Sequence, residues 1–93
     1  MRATFNGQVI AESDETVVVE GNHYFPPASV NMDYFSDPTG RSTHCPWKGD
    51  ASYRDITVDG ETASNAAWFY PEPKEKAAEI KDHIAFYGVV DVS

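Results

Sequence analysis

Short β-rich runs separated by two-residue turn signals constrain this chain more than any other feature. Asn6-Gly7 and Asp59-Gly60 suit type I′ hairpin turns, in which both central residues need positive φ. Gly21-Asn22 belongs to the same group of hairpin dipeptides. The flanking runs are Arg2–Phe5 and Gln8–Ala11, Thr16–Glu20 and His23–Phe25, and Ala51–Val58 and Glu61–Ala63. Thr16-Val17-Val18-Val19 is β-branched throughout and reads as strand. Asp33 to Thr43 is rich in Asp, Ser, Pro, Thr and Gly and reads as a loop. Pro71 ends a strand over Ala67–Tyr70, and Pro73 opens one short helix over Lys74–Asp82, where its missing N–H costs nothing. Two terminal strand pieces follow, Ile84–Tyr87 and Val89–Val92, hinged at Gly88. The expectation is a mainly β fold of antiparallel sheets with one short helix near the C-terminus.

With 93 residues, the chain is expected to form a single domain, residues 1–93, around one modest core. Two Trp, five Tyr and five Phe supply much of the area to be buried. The formal net charge of −8 and the absence of a basic cluster argue against nucleic acid and anionic membranes as partners. No apolar run is long enough to span a bilayer, and the N-terminus lacks the apolar stretch of a signal peptide. The single cysteine cannot form an internal disulfide and excludes a Cys-rich zinc site, so a reducing, cytoplasmic setting is the expectation.

Cys45 lies in Thr43-His44-Cys45-Pro46-Trp47-Lys48-Gly49. A cysteine becomes a nucleophile when a nearby cation lowers its pKa, and Lys48 could fold back toward it across a Pro46–Gly49 turn. His44 points to the opposite strand face unless the chain turns. The competing reading makes Cys45 a small buried hydrophobe. Trp47 could be a platform for a flat or anionic ligand, or a ring half-buried under the turn. Glu20, at a strand end, could face Lys48 as an acid, a base or an anchor, or could simply be solvated. In Trp68-Phe69-Tyr70 core packing competes with a ligand wall. His23, His44 and His83 lack the spacing of a local metal site, so neither a metal nor a cofactor is expected.

Three blocks in order carry a family resemblance. They are Glu20-Gly21-Asn22-His23-Tyr24-Phe25-Pro26-Pro27, then Cys45-Pro46-Trp47-Lys48-Gly49 with Ala51 and Tyr53, then Ala66-Ala67-Trp68-Phe69-Tyr70-Pro71-Glu72-Pro73, and Ala85-Phe86-Tyr87 follows them. Together they resemble the small bacterial proteins of domain of unknown function 427, a family that has also carried a nucleotidyltransferase-like label. The resemblance implies a β-tent, or Mss4-like, arrangement of antiparallel sheets. Zinc-binding relatives of that architecture use cysteine pairs that this chain lacks, and Thr39 stands where the family often has Ser. The residues show neither a phosphate cradle nor a pair of metal-binding carboxylates to match the nucleotidyltransferase label.

The favoured reading is a small-ligand-binding or interaction module with its pocket around Cys45-Pro46-Trp47-Lys48-Gly49, built from Glu20, Tyr24, Cys45, Trp47, Lys48 and Trp68. The alternative is an enzyme with Cys45 as nucleophile, assisted by Lys48 or Glu20. In a third class the aromatics would form a homodimer interface.

Overall fold

A computed structural model describes residues 1–93. Nine strands form three antiparallel groups: β1 (Arg2–Phe5), β2 (Gln8–Glu12) and β9 (Asp91–Val92); β3 (Val17–Val19) and β4 (Asn22–Tyr24); and β5 (Ser42–Cys45), β6 (Gly49–Val58), β7 (Glu61–Phe69) and β8 (Ile84–Phe86). The β3–β4 hairpin is stitched to the edge of the large sheet where Phe25 and Ile84 exchange backbone hydrogen bonds of 2.8 and 2.9 Å. The architecture is thus mainly β and antiparallel, with very little helix.

Each two-residue hairpin loop has positive φ at both positions. They are Asn6-Gly7 (49° and 77°), Asp59-Gly60 (49° and 83°) and Glu20-Gly21 (53° and 79°). The third differs by one residue from the Gly21-Asn22 turn read in the sequence. Val19 pairs with Asn22, which puts Asn22 in β4 and Glu20 in the turn. Glutamate is an uncommon choice there, because a side chain beyond Cβ gains nothing locally from the left-handed region.

The short C-terminal helix is present as a 3₁₀ segment, Glu75–Ile80, rather than an α-helix over Lys74–Asp82. Its φ breaks to −116° at Ala77. Both ends are tied down: the Lys74 amide donates to the Lys48 carbonyl at 2.8 Å, and the Asp82 amide to the Tyr70 carbonyl at 3.1 Å. The break at Ala77 interrupts any α-helical ladder between these anchors. The i, i+3 repeat of 3₁₀ geometry instead buries Ala77 and Ile80 together. Two further 3₁₀ turns, Pro27–Ser29 and Met32–Tyr34, appear, the second running into the start of the stretch read as a loop. That stretch also ends early, because β5 begins at Ser42. Val89 and Val90 fall in a turn, which leaves only Asp91–Val92 as the last strand.

The long β6–β7 hairpin carries a bulge between Arg54 and Ile56, opposite Asn65, whose φ is +51°. A bulge inserts an unpaired residue and changes which side chains face inward beyond it. On one face of the sheet, Ile56, Phe69, Ile84 and Phe86 join Phe5, Ile10 and Phe25 in the larger core. On the other, Ala51, Tyr53 and Ala85 join Tyr24, Tyr70, Ala77 and Ile80 in a smaller one. Full burial of one such large apolar side chain contributes about 1.5–3 kcal/mol. The smaller core is the floor of the site described next.

Candidate functional site

Two hairpin tips meet over the smaller core. One is the Glu20-Gly21 turn. The other is Pro46-Trp47-Lys48, which joins β5 to β6 where Cys45 pairs with Gly49. The second tip is anchored from below: the Lys74 ammonium donates to the Pro46 carbonyl at 2.7 Å, and the Lys74 amide holds the Lys48 carbonyl. Gly49 has φ +115°, and a Cβ there would come within 3.2 Å of the Glu72 carbonyl oxygen. Only glycine fits that backbone and that approach without strain.

These constraints turn the Lys48 side chain inward. Lys48 is the one buried charged residue, 7 % exposed. Its ammonium donates a hydrogen bond to a Glu20 carboxylate oxygen. It also lies 5.5 Å from the centre of the Tyr70 ring and 5.6 Å from that of Trp47, within cation–π range. Glu20 is about half exposed, and Trp47 is 38 % exposed. A buried cation is therefore closed off by an acid and an indole that both reach solvent.

The electrostatics follow the geometry. Burial by itself would lower the Lys48 pKa, but the hydrogen bond and charge of Glu20, with Tyr24 and Tyr70 adding to them, push it above its ordinary value. The hydrogen bond and charge of Lys48 hold the Glu20 carboxyl below the usual range, and the Trp47 indole adds to the effect. Burial raises the Tyr70 phenol, against the influence of Lys48. Lys48 is charged and Tyr70 neutral at neutral pH.

The residues singled out in the sequence divide into two layers. Glu20, Trp47 and Lys48 form the outer layer. Tyr24 is fully buried, and its hydroxyl accepts the Trp68 indole N–H at 3.1 Å, so this pair stands behind the site. Cys45 is half-buried and packs on the same small core as Tyr24 and Tyr70. No hydrogen bond reaches its sulfur; the Lys48 ammonium hydrogen-bonds Glu20 instead. His44 lies on the exposed side, 2.8 Å from an Asp50 carboxylate oxygen. No group of three or more His, Cys, Asp or Glu side chains converges as metal ligands would.

The whole chain, residues 1–93, matches the family model described as a domain of unknown function (DUF427). The chain belongs to the DUF427 family. No curated protein matches it.

Within this DUF427 domain, sequence reasoning missed Tyr70 as the second ring over Lys48. Trp68-Phe69-Tyr70 reads as core packing or a ligand wall with nothing local to link Tyr70 to Lys48, and only the packing of the Pro46–Lys48 tip brings it under the ammonium. Thr39 donates its hydroxyl hydrogen to the Asn65 side-chain oxygen, and its amide donates to the Tyr53 carbonyl at 2.9 Å. It braces the bulge rather than the Cys45 segment. Cavities lie elsewhere on the surface, one of about 240 Å³ beside His44, Asp50 and Glu72 and one of about 540 Å³ beside Arg41 and Tyr87. No helix is long and apolar enough to cross a membrane.

Proposed function

We propose that this DUF427 domain is a small-ligand-binding module that takes a carboxylate at Lys48. The observation that carries the reading is the buried Lys48 ammonium, closed off by the exposed Trp47 indole and by a half-exposed acid at positive φ. An ammonium has three donors, and Glu20 takes one of them. Non-glycine residues in the left-handed region collect at functional sites and are held by surrounding structure. Glu20 is held by the group it covers. Because it occupies the site with a carboxylate, it also marks the ligand class: a small monocarboxylate with a short apolar tail for Trp47.

Binding exchanges one carboxylate for another, so charge stays balanced while Glu20 swings to solvent. The β-tent, Mss4-like arrangement belongs to this reading, since two hairpin tips from different sheets form the mouth. So does a reducing, cytoplasmic setting, which suits a single unpaired thiol. The alternative enzyme reading, with Cys45 as nucleophile, gains no support, because Lys48 is engaged by Glu20.

The test is a titration of the ¹⁵N-labelled protein with propionate, following the indole N–H signals of Trp47 and Trp68. Saturable movement of Trp47 is expected, tighter in Glu20→Gln, where the internal competitor is weakened, and absent in Lys48→Met. A Glu20→Gln protein that stays folded and shows no saturable change up to about 10 mM propionate, an affinity near 3 kcal/mol, would exclude the reading.

A further inference from the structure

The cavity of about 540 Å³ lies away from Lys48, against the bulged part of β7. Its lining includes Arg41, Ser64, Asn65, Ala66, Tyr87 and Val89 and contains no carboxylate. The cavity beside Lys74 is bordered by Asp50 and Glu72, and the one beside Arg54 by Asp82. The cavity of about 450 Å³ beside His23 has neither acid nor Lys or Arg. Only the Arg41 cavity combines an unopposed cation with an acid-free wall.

Its polar and aromatic parts are held in place. The Arg41 guanidinium makes no salt bridge and sits 5.1 Å from the centre of the Tyr53 ring. Tyr53 is buried, its hydroxyl is 2.8 Å from the Thr43 hydroxyl, and its ring is nearly parallel to that of Tyr87, 14° between planes. Tyr87 also contacts Trp68, ring centres 4.7 Å apart, and leaves 46 % of its surface exposed. Asn65 is fixed by its amide, which donates to Asp55 at 2.7 Å, and by the Thr39 hydroxyl on its side-chain oxygen. Its side-chain amide donors have no protein partner.

We propose that this cavity is a second binding site, independent of Lys48, for an aromatic carboxylate. Arg41 takes the carboxylate through its planar fork, the ring lies on the exposed face of Tyr87, and Asn65 or Ser64 supplies one further hydrogen bond. The volume is in the range that holds a small organic ligand. A single arginine balances a monoanion. A phosphate ester of about −2 charge would meet only that one cation on a strongly acidic protein.

Arg41 and Tyr87 are exposed, so Arg41→Gln and Tyr87→Leu leave the fold intact. The probes are benzoate, benzyl alcohol (the ring without the charge) and propionate (the charge without the ring), each followed by ¹⁵N chemical shifts. Benzoate is expected to shift the Asn65, Ala66, Tyr87 and Val89 amides saturably. Its affinity should fall at least about tenfold in Arg41→Gln and several-fold in Tyr87→Leu, and stay unchanged in Lys48→Met. Equal affinity in Arg41→Gln, shifts that gather at Trp47, or benzyl alcohol binding as tightly as benzoate would each overturn the proposal. Because Lys48→Met removes only the first site, failure of one reading is visible without the other.

Discussion

Replacing Lys48 by Met asks whether the buried cation serves the fold or a ligand. The methionine side chain is one atom shorter than lysine: its sulfur falls at the lysine Cδ position, and its methyl ends just short of where the ammonium lay between Tyr70 and Trp47. Loss of the two cation–π contacts costs about 0.5–2 kcal/mol each. Sulfur–aromatic contacts with the same two rings return about 0.3–1.5 kcal/mol each. These nearly cancel, so the balance rests on the ion pair. Replacing a buried pair by well-packed apolar groups is neutral to stabilising by about 1–4 kcal/mol, because the desolvation of two charges is relieved. Here only the lysine is desolvated, since Glu20 is about half exposed and regains water when released. The low end therefore applies, and Lys48→Met should be between unchanged and about 2 kcal/mol more stable. At 4–8 °C per kcal/mol for a domain of this size, the midpoint should stay level or rise by up to roughly 10–15 °C. Urea unfolding with an unchanged slope, alongside thermal unfolding, measures this. A destabilisation of more than about 2 kcal/mol would refute the reasoning and make Lys48 a structural residue.

Gly49→Ala should lose about 2–4 kcal/mol in urea unfolding. The backbone strain at φ +115° accounts for about 1–3 kcal/mol, and disturbance of the Lys48 carbonyl–Lys74 amide bond for about 1 kcal/mol. Tyr24→Phe leaves the Trp68 indole N–H without its acceptor and should cost about 1–3 kcal/mol, with a change in Trp68 fluorescence. The stability difference between the wild type and Lys48→Met should be flat from about pH 5 to pH 10. The Glu20 contribution is fully present above its ordinary value near 4.3 and is lost as pH falls through its lowered folded value. The Lys48 contribution is fully present below its ordinary value near 10.4 and is lost only as pH rises through its raised folded value. A slope near pH 7 in that difference would show that another group titrates with the pair.

Those parts of the fold governed by local backbone chemistry were legible in the sequence. Asn6-Gly7 and Asp59-Gly60 turn where read, because asparagine, aspartate and glycine tolerate the left-handed region that a type I′ loop imposes. The same rule misplaces the middle turn by one residue. Glutamate has no local reason to adopt φ +53°, and its stabilising partner, Lys48, is 28 residues away in sequence. Glu20 and Lys48 were legible as candidates for one site, since an acid at a strand end and a lysine in a Pro-containing turn both sit at sheet edges. Tyr70 was not, nor were Arg41 and Tyr87. Their roles depend on the register of β6 with β7 and on the bulge at Asn65, which set which aromatic rings share a face. Pairing at that range leaves no periodic signal near the residues themselves.

The position of Glu20 on a two-residue turn also sets how selective the Lys48 site is. A carboxylate tethered this closely acts as a competitor at an effective concentration on the order of millimolar or above. A simple anion such as chloride or acetate, making the same single contact, cannot displace it at lower concentration. A ligand succeeds only by adding contacts that Glu20 does not make, and the exposed part of the Trp47 ring is the surface next to the ammonium that offers them. Displacement needs no rearrangement of the fold, because the acid sits on a hairpin tip and its departure leaves β3 and β4 paired from Val19–Asn22 to Val17–Tyr24. The strain at Glu20 adds to the balance. Once its carboxylate is released, nothing further compensates a glutamate at positive φ, so the open state gains from any residue that suits the turn. Glu20→Asn therefore serves as the most direct probe of this gate. Asparagine is at home in the left-handed region but too short to cover Lys48 as glutamate does. The variant should keep its hairpin and bind propionate more tightly than the wild type. Binding as weak as in the wild type, with the hairpin intact, would mean that Glu20 is not the competitor.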